Sequence, residues 1–254
     1  MKSLDTALRV ASLFKDVEEP LGVVEIAERL ALNKSHVSRI LASMRRAGLL
    51  VQNPRTRRYS VGVEAFAIGV RYINGNPLAR AAVPVIRACS ELTGHSVFIS
   101  VRHDDCSRHI LAVEGPHFEE SQWRVGIRLA LHATASGKVL LAFGPESAGG
   151  ATLDAVALPR LTPRTITDRD ALRETLSRVR AQGWAEARGE TVVGLAACAV
   201  PVFGRGEALC AAFGVVAPAA LLPETALRDT VAILHDHAQR LSLLLGARSY
   251  PVPD

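Results

Sequence analysis

Several clusters in this 254-residue sequence carry side chains capable of chemistry. His103-Asp104-Asp105-Cys106 with His109 packs metal-ligating residue types into seven positions, a donor set that zinc takes. The spacing fits no standard zinc pattern, and Asp-Asp is ordinary turn chemistry, so a metal site and the polar tip of a β-hairpin both stay open. Ser136-Gly137-Lys138 has the tail of a phosphate-binding loop. The upstream glycine of G-x-x-x-x-G-K-[ST] is missing, because Leu131 or His132 stands in that region. His132, Ser136, Asp154, Glu190 and Cys198 are residue types from which a catalytic site is built. No G-x-S-x-G elbow, paired-carboxylate motif or metal tetrad joins them. No catalytic residue, resident metal or cofactor is therefore assigned. His132 reads as a structural hydrogen-bonding group, and Cys198 and Cys210, which lie in apolar runs, as core thiols.

The first sixty residues carry a more coherent signal. Lys34-Ser35-His36-Val37-Ser38-Arg39-Ile40-Leu41-Ala42-Ser43-Met44-Arg45-Arg46 places Val37, Ile40, Leu41 and Met44 at helical spacing on one buried stripe. Asn33 can cap this helix and Gly48 can end it as a left-handed residue. The opposite face carries short donors and acceptors at its first turn and bases further along. A helix that reads base edges in a major groove needs that distribution. Ser35, His36, Ser38 and Arg39 are placed nearest the bases. Lys34, Arg45 and Arg46 are placed on phosphates, with Arg55, Arg57 and Arg58 from the turn that follows. That turn, residues 52–58, joins two short strands at 49–51 and 59–61, and a basic β-hairpin after such a helix is a wing.

The elements that must position these residues follow from periodicity. Leu4, Leu8, Ala11 and Leu13 set a first amphipathic helix with Ser3 as its N-cap. A second helix runs from Val24 to Leu30 with Ile26, Ala27 and Leu30 inward. Val63, Phe66, Ala67 and Val70 predict a linker helix across 62–73, and Asn74-Gly75-Asn76-Pro77 breaks it. The expected organisation is residues 1–61, a DNA-binding domain; 62–76, a linker helix; and 77–254, a larger body. In the body a long helix is expected from Leu78 to Leu92, interrupted or kinked near Pro84. A hairpin is expected from Val97–Val101 and His109–Val113, and a strand at Trp123–Ile127. Helices follow at His132–Phe143 and Asp168–Gln182, strands at Ala196–Phe203 and Leu209–Val216, and a last helix at Pro223–Leu245. Strands covered by helices in this order predict an α+β fold with an antiparallel sheet.

Charge supports the same division. Residues 1–60 hold 11 Lys and Arg against 6 Asp and Glu, and residues 61–254 hold 19 of each. The whole excess of the formal +5 sits in the first quarter, the electrostatic footprint of a nucleic-acid-binding head. Four cysteines without a C-x-x-C pair point to free thiols in a reducing cytoplasm. The polar N-terminus reads as neither signal peptide nor anchor. The uncharged run Ala208–Pro223 is shorter than the ~20 residues of a spanning helix, so no membrane is expected as a partner.

At Leu131-His132-Ala133-Thr134-Ala135-Ser136-Gly137-Lys138-Val139-Leu140-Leu141-Ala142 the sequence resembles the hallmark segment of the IclR family of bacterial transcriptional regulators. The resemblance extends over nearly the whole chain. It includes Leu4–Ala11, Lys34–Leu41, Thr165-Ile166-Thr167 and the segment Gly183–Phe203, where Gly183, Glu190, Ala197, Ala199, Val202 and Phe203 fit the signature and Ala187, Cys198 and Gly204 depart from it. It implies a winged helix-turn-helix, a linker helix and a C-terminal effector-binding domain of the GAF/profilin-like kind. It also implies homodimers, often paired into tetramers, on palindromic double-stranded operators. Family members that sense small carboxylates carry polar side chains where Ala187, Ala197, Gly214 and Val216 stand here. A buried carboxylate without donors costs several kcal/mol, whereas an apolar wall favours a ring or alkyl group at ~25 cal/mol per Å². An aromatic or otherwise hydrophobic small effector follows. It is expected between the sheet and the loops near Trp123–Ser136, with Arg124, Arg128 or the amides of Ala135, Ser136 and Gly137 holding any acid group. The leading expectation is an effector-responsive regulator, not an enzyme, controlling catabolic genes. Two other classes are a metabolic enzyme with its pocket near Trp123–Ser136 and a regulatory N-terminal appendage, and a nucleoid-type protein that binds DNA without sequence preference. The neutral body argues against the last.

Overall fold

The computed structural model describes every residue except 1, 16, 18, 117–124, 145–152, 155, 253 and 254. The chain divides into two compact units, Met1–Asn76 and Pro77–Asp254. In the first, α1 (Lys2–Leu13), α2 (Val23–Leu30) and α3 (Lys34–Arg46) precede the hairpin of β1 (Leu50–Gln52) and β2 (Tyr59–Val61), and α4 (Val63–Gly75) closes the unit. Its core joins Val10, Ile26, Ala27, Val37, Ile40, Leu41, Leu50 and Tyr59. Two details differ from the periodicity reading of α1. Ser3 lies inside the helix, and the stripe turned inward is that of Ala7, Val10 and Leu13, while Leu4 and Leu8 are exposed. The helix is apolar on two stripes, and only the Val10 stripe meets the rest of the core.

The second unit is built on a six-stranded antiparallel sheet, order β5-β4-β3-β8-β7-β6. The strands are β3 (Ser96–His103), β4 (Cys106–Val113), β5 (Arg128–Ala130), β6 (Ala185–Arg188), β7 (Leu195–Phe203) and β8 (Leu209–Pro218). Side-chain alternation assigns the two faces. Val97, Ile99, Val200, Val202, Phe213 and Val215 pack under α5 (Pro77–Thr93) and α8 (Glu224–Leu244). Phe98, Ala199, Ala212 and Val216 pack under α6 (Ala135–Phe143) and α7 (Arg169–Gln182).

Several expectations about this unit are corrected. Pro84 does not interrupt α5: it sits on the exposed side, where the backbone bond it removes can be replaced by water, while Leu78, Ala82, Ile86 and Cys89 keep one buried stripe. The hairpin strands are longer than the apolar runs, because Arg102, His103, Ser107 and Arg108 also pair across a turn at Asp104-Asp105, with Asp104 at φ +54°. The strand expected at Trp123–Ile127 lies at Arg128–Ala130, and Trp123 is outside the described residues. α6 begins at Ala135, not His132, because the Thr134 side chain caps it by accepting from Gly137 N at 3.1 Å. β6 was not anticipated; its four residues are too few for alternation to register. Cys198 is core, but Cys210 is exposed.

One buried ion pair ties α6 to the sheet. Lys138, 2% exposed, donates to Glu190 Oε1 at 2.5 Å and to the Glu186 carbonyl at 2.9 Å. Burial pulls the ammonium below its usual range and pushes the carboxyl above its own, and each partner opposes the shift of the other. Removing one partner leaves an uncompensated buried charge. Glu190→Ala should therefore destabilise the second unit by about 3–5 kcal/mol in urea unfolding, and adding Lys138→Met to it should recover much of that loss.

Candidate DNA interface and effector cavity

The N-terminal unit positions its polar face by three local devices. Ala31 at φ +53° closes α2, and Asn33 then caps α3 by accepting from Ser35 N at 2.9 Å. Val37 and Leu41 are fully buried, which turns Ser35, Ser38, Arg39, Arg45 and Arg46 to solvent; His36 is half-buried and Lys34 exposed. The wing tip is ordered by Asn53, whose side chain accepts from Arg55 N at 2.9 Å and Thr56 N at 3.0 Å. Gln52 adds a bond to the Arg57 carbonyl at 3.0 Å. Arg55 and Arg57 are exposed on that tip. Arg58 has a different task. It donates to the Pro20 carbonyl at 2.6 Å and pairs with Glu25 at 2.7 Å, beside the bridge between Leu21 and Tyr59. It fastens the wing to the segment before α2, while the side chains of Arg55 and Arg57 make no such anchoring contact among the described residues.

In the second unit a cavity of about 120 Å³ opens between the sheet and the first turn of α6. Its wall is mostly apolar: Phe98, Ile127, Leu129, Ala187, Val192, Leu195, Ala196, Ala197 and Val216 line it, with Gly189. Its polar members are His109, Thr134, Ser136, Glu190 and Thr191. Ala135 and Ser136, the first two residues of α6, stand in the wall, where helical amides have no intrahelical acceptor and the dipole favours an anion.

Of the effector residues expected from sequence, the cavity brings together Ala135, Ser136, Ala187, Ala197 and Val216. Gly137 and Gly214 stand behind the wall. A Cβ on Gly137 would lie 2.2 Å from the Leu131 carbonyl oxygen. One on Gly214 would lie 2.3 Å from the Cys198 carbonyl oxygen and 2.7 Å from the Phe98 ring. Both positions hold wall elements close together. Arg128 lies elsewhere: half-exposed on β5, it donates to both Asp105 oxygens at 2.6 and 2.7 Å. Trp123 and Arg124 lie outside the described residues. Sequence reasoning missed Phe98 and His109. Alternation along β3 places Phe98 on the face toward α6, whereas His109 joins that face through a bulge opposite Ile99 and Ser100 that shifts the register of β4, a feature alternation does not reveal.

The metal-type cluster disperses. His103 and Asp104 are exposed, Asp105 pairs with Arg128, Cys106 donates to the His103 carbonyl at 3.1 Å, and His109 turns into the cavity wall. Among the described residues no group of three or more His, Cys, Asp or Glu gathers as for a metal. Of the catalytic-type residues, Ser136 and Glu190 both line the cavity, and the other three lie apart from them. His132 meets the Pro159 carbonyl at 3.0 Å, Asp154 pairs with Arg173 on the surface, and Cys198 is buried in the opposite core with its thiol pushed far up by burial.

Residues 3–54 match the IclR helix-turn-helix domain, and residues 70–243 match the family described as bacterial transcriptional regulator IclR C-terminal. The chain belongs to the IclR family. It is 32% identical to the HTH-type transcriptional regulator KdgR of Escherichia coli over 251 residues, covering 98% of this chain and 95% of that one. It is also 32% identical to the glycerol operon regulatory protein of Streptomyces griseus, covering 97% of each chain. Among solved structures it is similar to an IclR regulator from Alicyclobacillus acidocaldarius (TM-score 0.83, 27% identity, 97% of this chain and 99% of that one). It is also similar to an IclR homologue from Microbacterium hydrocarbonoxydans complexed with 4-hydroxybenzoate (TM-score 0.80, 25% identity, 96% and 98%). These proteins and families are DNA-binding transcriptional regulators, not enzymes, and this chain is an IclR-family regulator.

The wing makes a separable prediction. Arg57→Ala should weaken binding to all DNA sequences and flatten the plot of log K against log salt by roughly 0.9 for the lost phosphate contact. Arg58→Ala should instead lower the stability of the N-terminal unit by about 1 kcal/mol, because its ion pair is partly exposed. Salt-series anisotropy and thermal unfolding distinguish the two.

Proposed function

We propose that this regulator binds a palindromic operator as a homodimer or a pair of dimers in the bacterial cytoplasm. It controls catabolic genes and responds to a small aromatic or otherwise hydrophobic acid. No described helix is long and apolar enough to cross a membrane. Two recognition helices ~34 Å apart enter successive major grooves. Ser35, His36, Ser38 and Arg39 face the bases, while Lys34, Arg45, Arg46, Arg55 and Arg57 neutralise phosphates. Support for the pairing comes from apolar surface that the single chain leaves exposed: Leu4 and Leu8 on α1, and Val63, Phe66, Ile68 and Tyr72 on α4. An α4 with no buried residue is a helix awaiting a partner, and a second copy's linker supplies it.

The observation that carries the effector class is the cavity wall. The cavity, about 120 Å³, is on the scale of the ~150 Å³ apolar void that takes a benzene ring, and its wall is mostly apolar, with His109, Thr134, Ser136, Glu190 and Thr191 as its polar members. A ring therefore fills the apolar part and a carboxylate meets the α6 amides. The Microbacterium hydrocarbonoxydans homologue with 4-hydroxybenzoate supports the same class. The test is fluorescence anisotropy on the DNA upstream of this protein's own gene, against scrambled DNA at two salt concentrations, with release or tightening by aromatic acids. Equal weak binding to both DNAs would contradict the operator assignment. Tight binding of glyoxylate-like acids without response to aromatics would sink the effector assignment.

Two substitutions sharpen it. Arg39→Ala should cost ~1–3 kcal/mol on the operator and change base preference, read by anisotropy on single-base operator variants. Ala187→Asp puts a carboxylate into the apolar wall and should weaken an aromatic acid tenfold or more in calorimetry, while the operator affinity of the effector-free protein changes little.

A further inference from the structure

His109 on β4 is 1% exposed and lines the cavity. Its cross-strand partner Ser100 holds it from β3, with Oγ 2.5 Å from Nδ1, and the Phe98 ring stacks on it at 4.6 Å between centroids. Two residues before it on the same strand face, Ser107 lies 3.2 Å from Ser136 of the α6 first turn. A polar strip therefore runs across the sheet from Ser100 and His109 to Ser107 and Ser136, and it ends at the amides proposed for the carboxylate.

Charge balance gives the strip a task. An acid placed in a largely apolar cavity requires a counter-charge. Lys138 is committed to Glu190, so that pair adds no net charge to the wall. Arg128 on β5 is committed to Asp105, and Arg108 on β4 donates to the Gly126 carbonyl. β3 contributes Phe98 and Ser100, and α6 contributes Thr134 and Ser136, none of them able to become a cation. Among the described lining residues, His109 is the one group that can gain a positive charge.

We propose that His109 is the specificity residue for an acidic effector, taking one proton from solvent as the carboxylate enters so that the bound pair is neutral. This deepens the reading of the cavity as an aromatic-acid site and rests on it. Burial holds the empty-site imidazole neutral, well below its usual range. An anion beside it favours the charged form. The sign follows by linkage: the bound state carries the extra proton, so affinity rises as pH falls, by up to tenfold per unit between the empty-site and bound-site values of His109. A neutral ligand of the same shape gains nothing.

The test is titration calorimetry of the full-length protein with benzoate, 4-hydroxybenzoate and the neutral benzamide. It is run at pH 7.5 in two buffers of different ionisation enthalpy and repeated from pH 6 to 8. Uptake of close to one proton with the acids, none with benzamide, and loss of both uptake and pH slope in His109→Gln would establish the proposal. Acids that bind without proton uptake would overturn it and leave the aromatic-acid reading standing. Failure of every acid to bind would remove that reading and this inference together. Should His109→Gln not fold, imidazole nitrogen-15 spectra of the wild-type protein locate the proton: a ring that stays neutral with the acid bound overturns the proposal.

Discussion

The ion pair between Lys138 and Glu190 is the constraint on which the effector unit depends. α6 is short, and Lys138 is one of the eight buried residues among its nine. A lysine buried to 2% cannot slide, because moving it away from Glu190 and the Glu186 carbonyl strands a charge in the core. The pair fixes α6 relative to the connection between β6 and β7, and that connection supplies the far wall of the cavity through Gly189, Glu190, Thr191 and Val192. Thr191 donates to the Ala133 carbonyl at 2.8 Å, and Thr165 reaches the Glu190 carbonyl at 2.7 Å, so the segment that carries the counter-ion is itself held from both sides. The first amides of α6 are thereby presented at one place. The hallmark segment is legible as a consequence: glycine at 137 for close approach to Leu131, threonine at 134 for the cap, lysine at 138 for the anchor.

With the anchor neutral as a pair, the cavity has little charge of its own. Ala187 and Ala197 remove side-chain donors from the wall, and Gly214 permits the Phe98 ring to lie against β7 and β8. The wall therefore selects for apolar area, and its few polar members lie at the first turn of α6, at His109 on β4 and at Glu190 and Thr191 in the connection between β6 and β7. A ligand with one apolar and one charged end is matched by this division; a compact polyanion is not, because most of its surface would be desolvated without partners.

How much of this was legible in the sequence depends on the length scale of each signal. α3 was readable because its stripe, its Asn33 cap and its Gly48 terminus agree within fifteen residues. α7 was readable for the same reason, with Asp168 accepting from Ala171 N and Gly183 at φ +83°. α1 misled because two apolar stripes compete and only assembly decides between Leu8 and Val10. The anchoring contacts of Arg58 were not legible because its partners, Pro20 and Glu25, lie more than thirty residues away. His109 was first grouped with Cys106 and Asp105 by proximity along the chain. The fold separates them: beyond a bulge opposite Ile99 and Ser100, β4 pairs His109 with Ser100 on the face toward α6, while Asp105 stays in the turn with Arg128.

Linkage limits how such a cavity can govern DNA binding. An effector shifts operator affinity only by the difference in its affinity for two arrangements of the protein, so a change of ten- to a hundredfold on DNA requires about 1.4–2.8 kcal/mol of preference at the cavity. Apolar contact is a poor source of that preference, because a ring buried in a formed pocket is buried in either arrangement. Contacts at the α6 first turn are a better one. They are directional, they weaken when an amide or a hydroxyl moves by a fraction of an ångström, and they sit on the helix that the Lys138–Glu190 pair locks to the sheet. On the proposed reading, the apolar wall would set how tightly a ligand binds and the polar strip how far that binding distinguishes two arrangements of the protein.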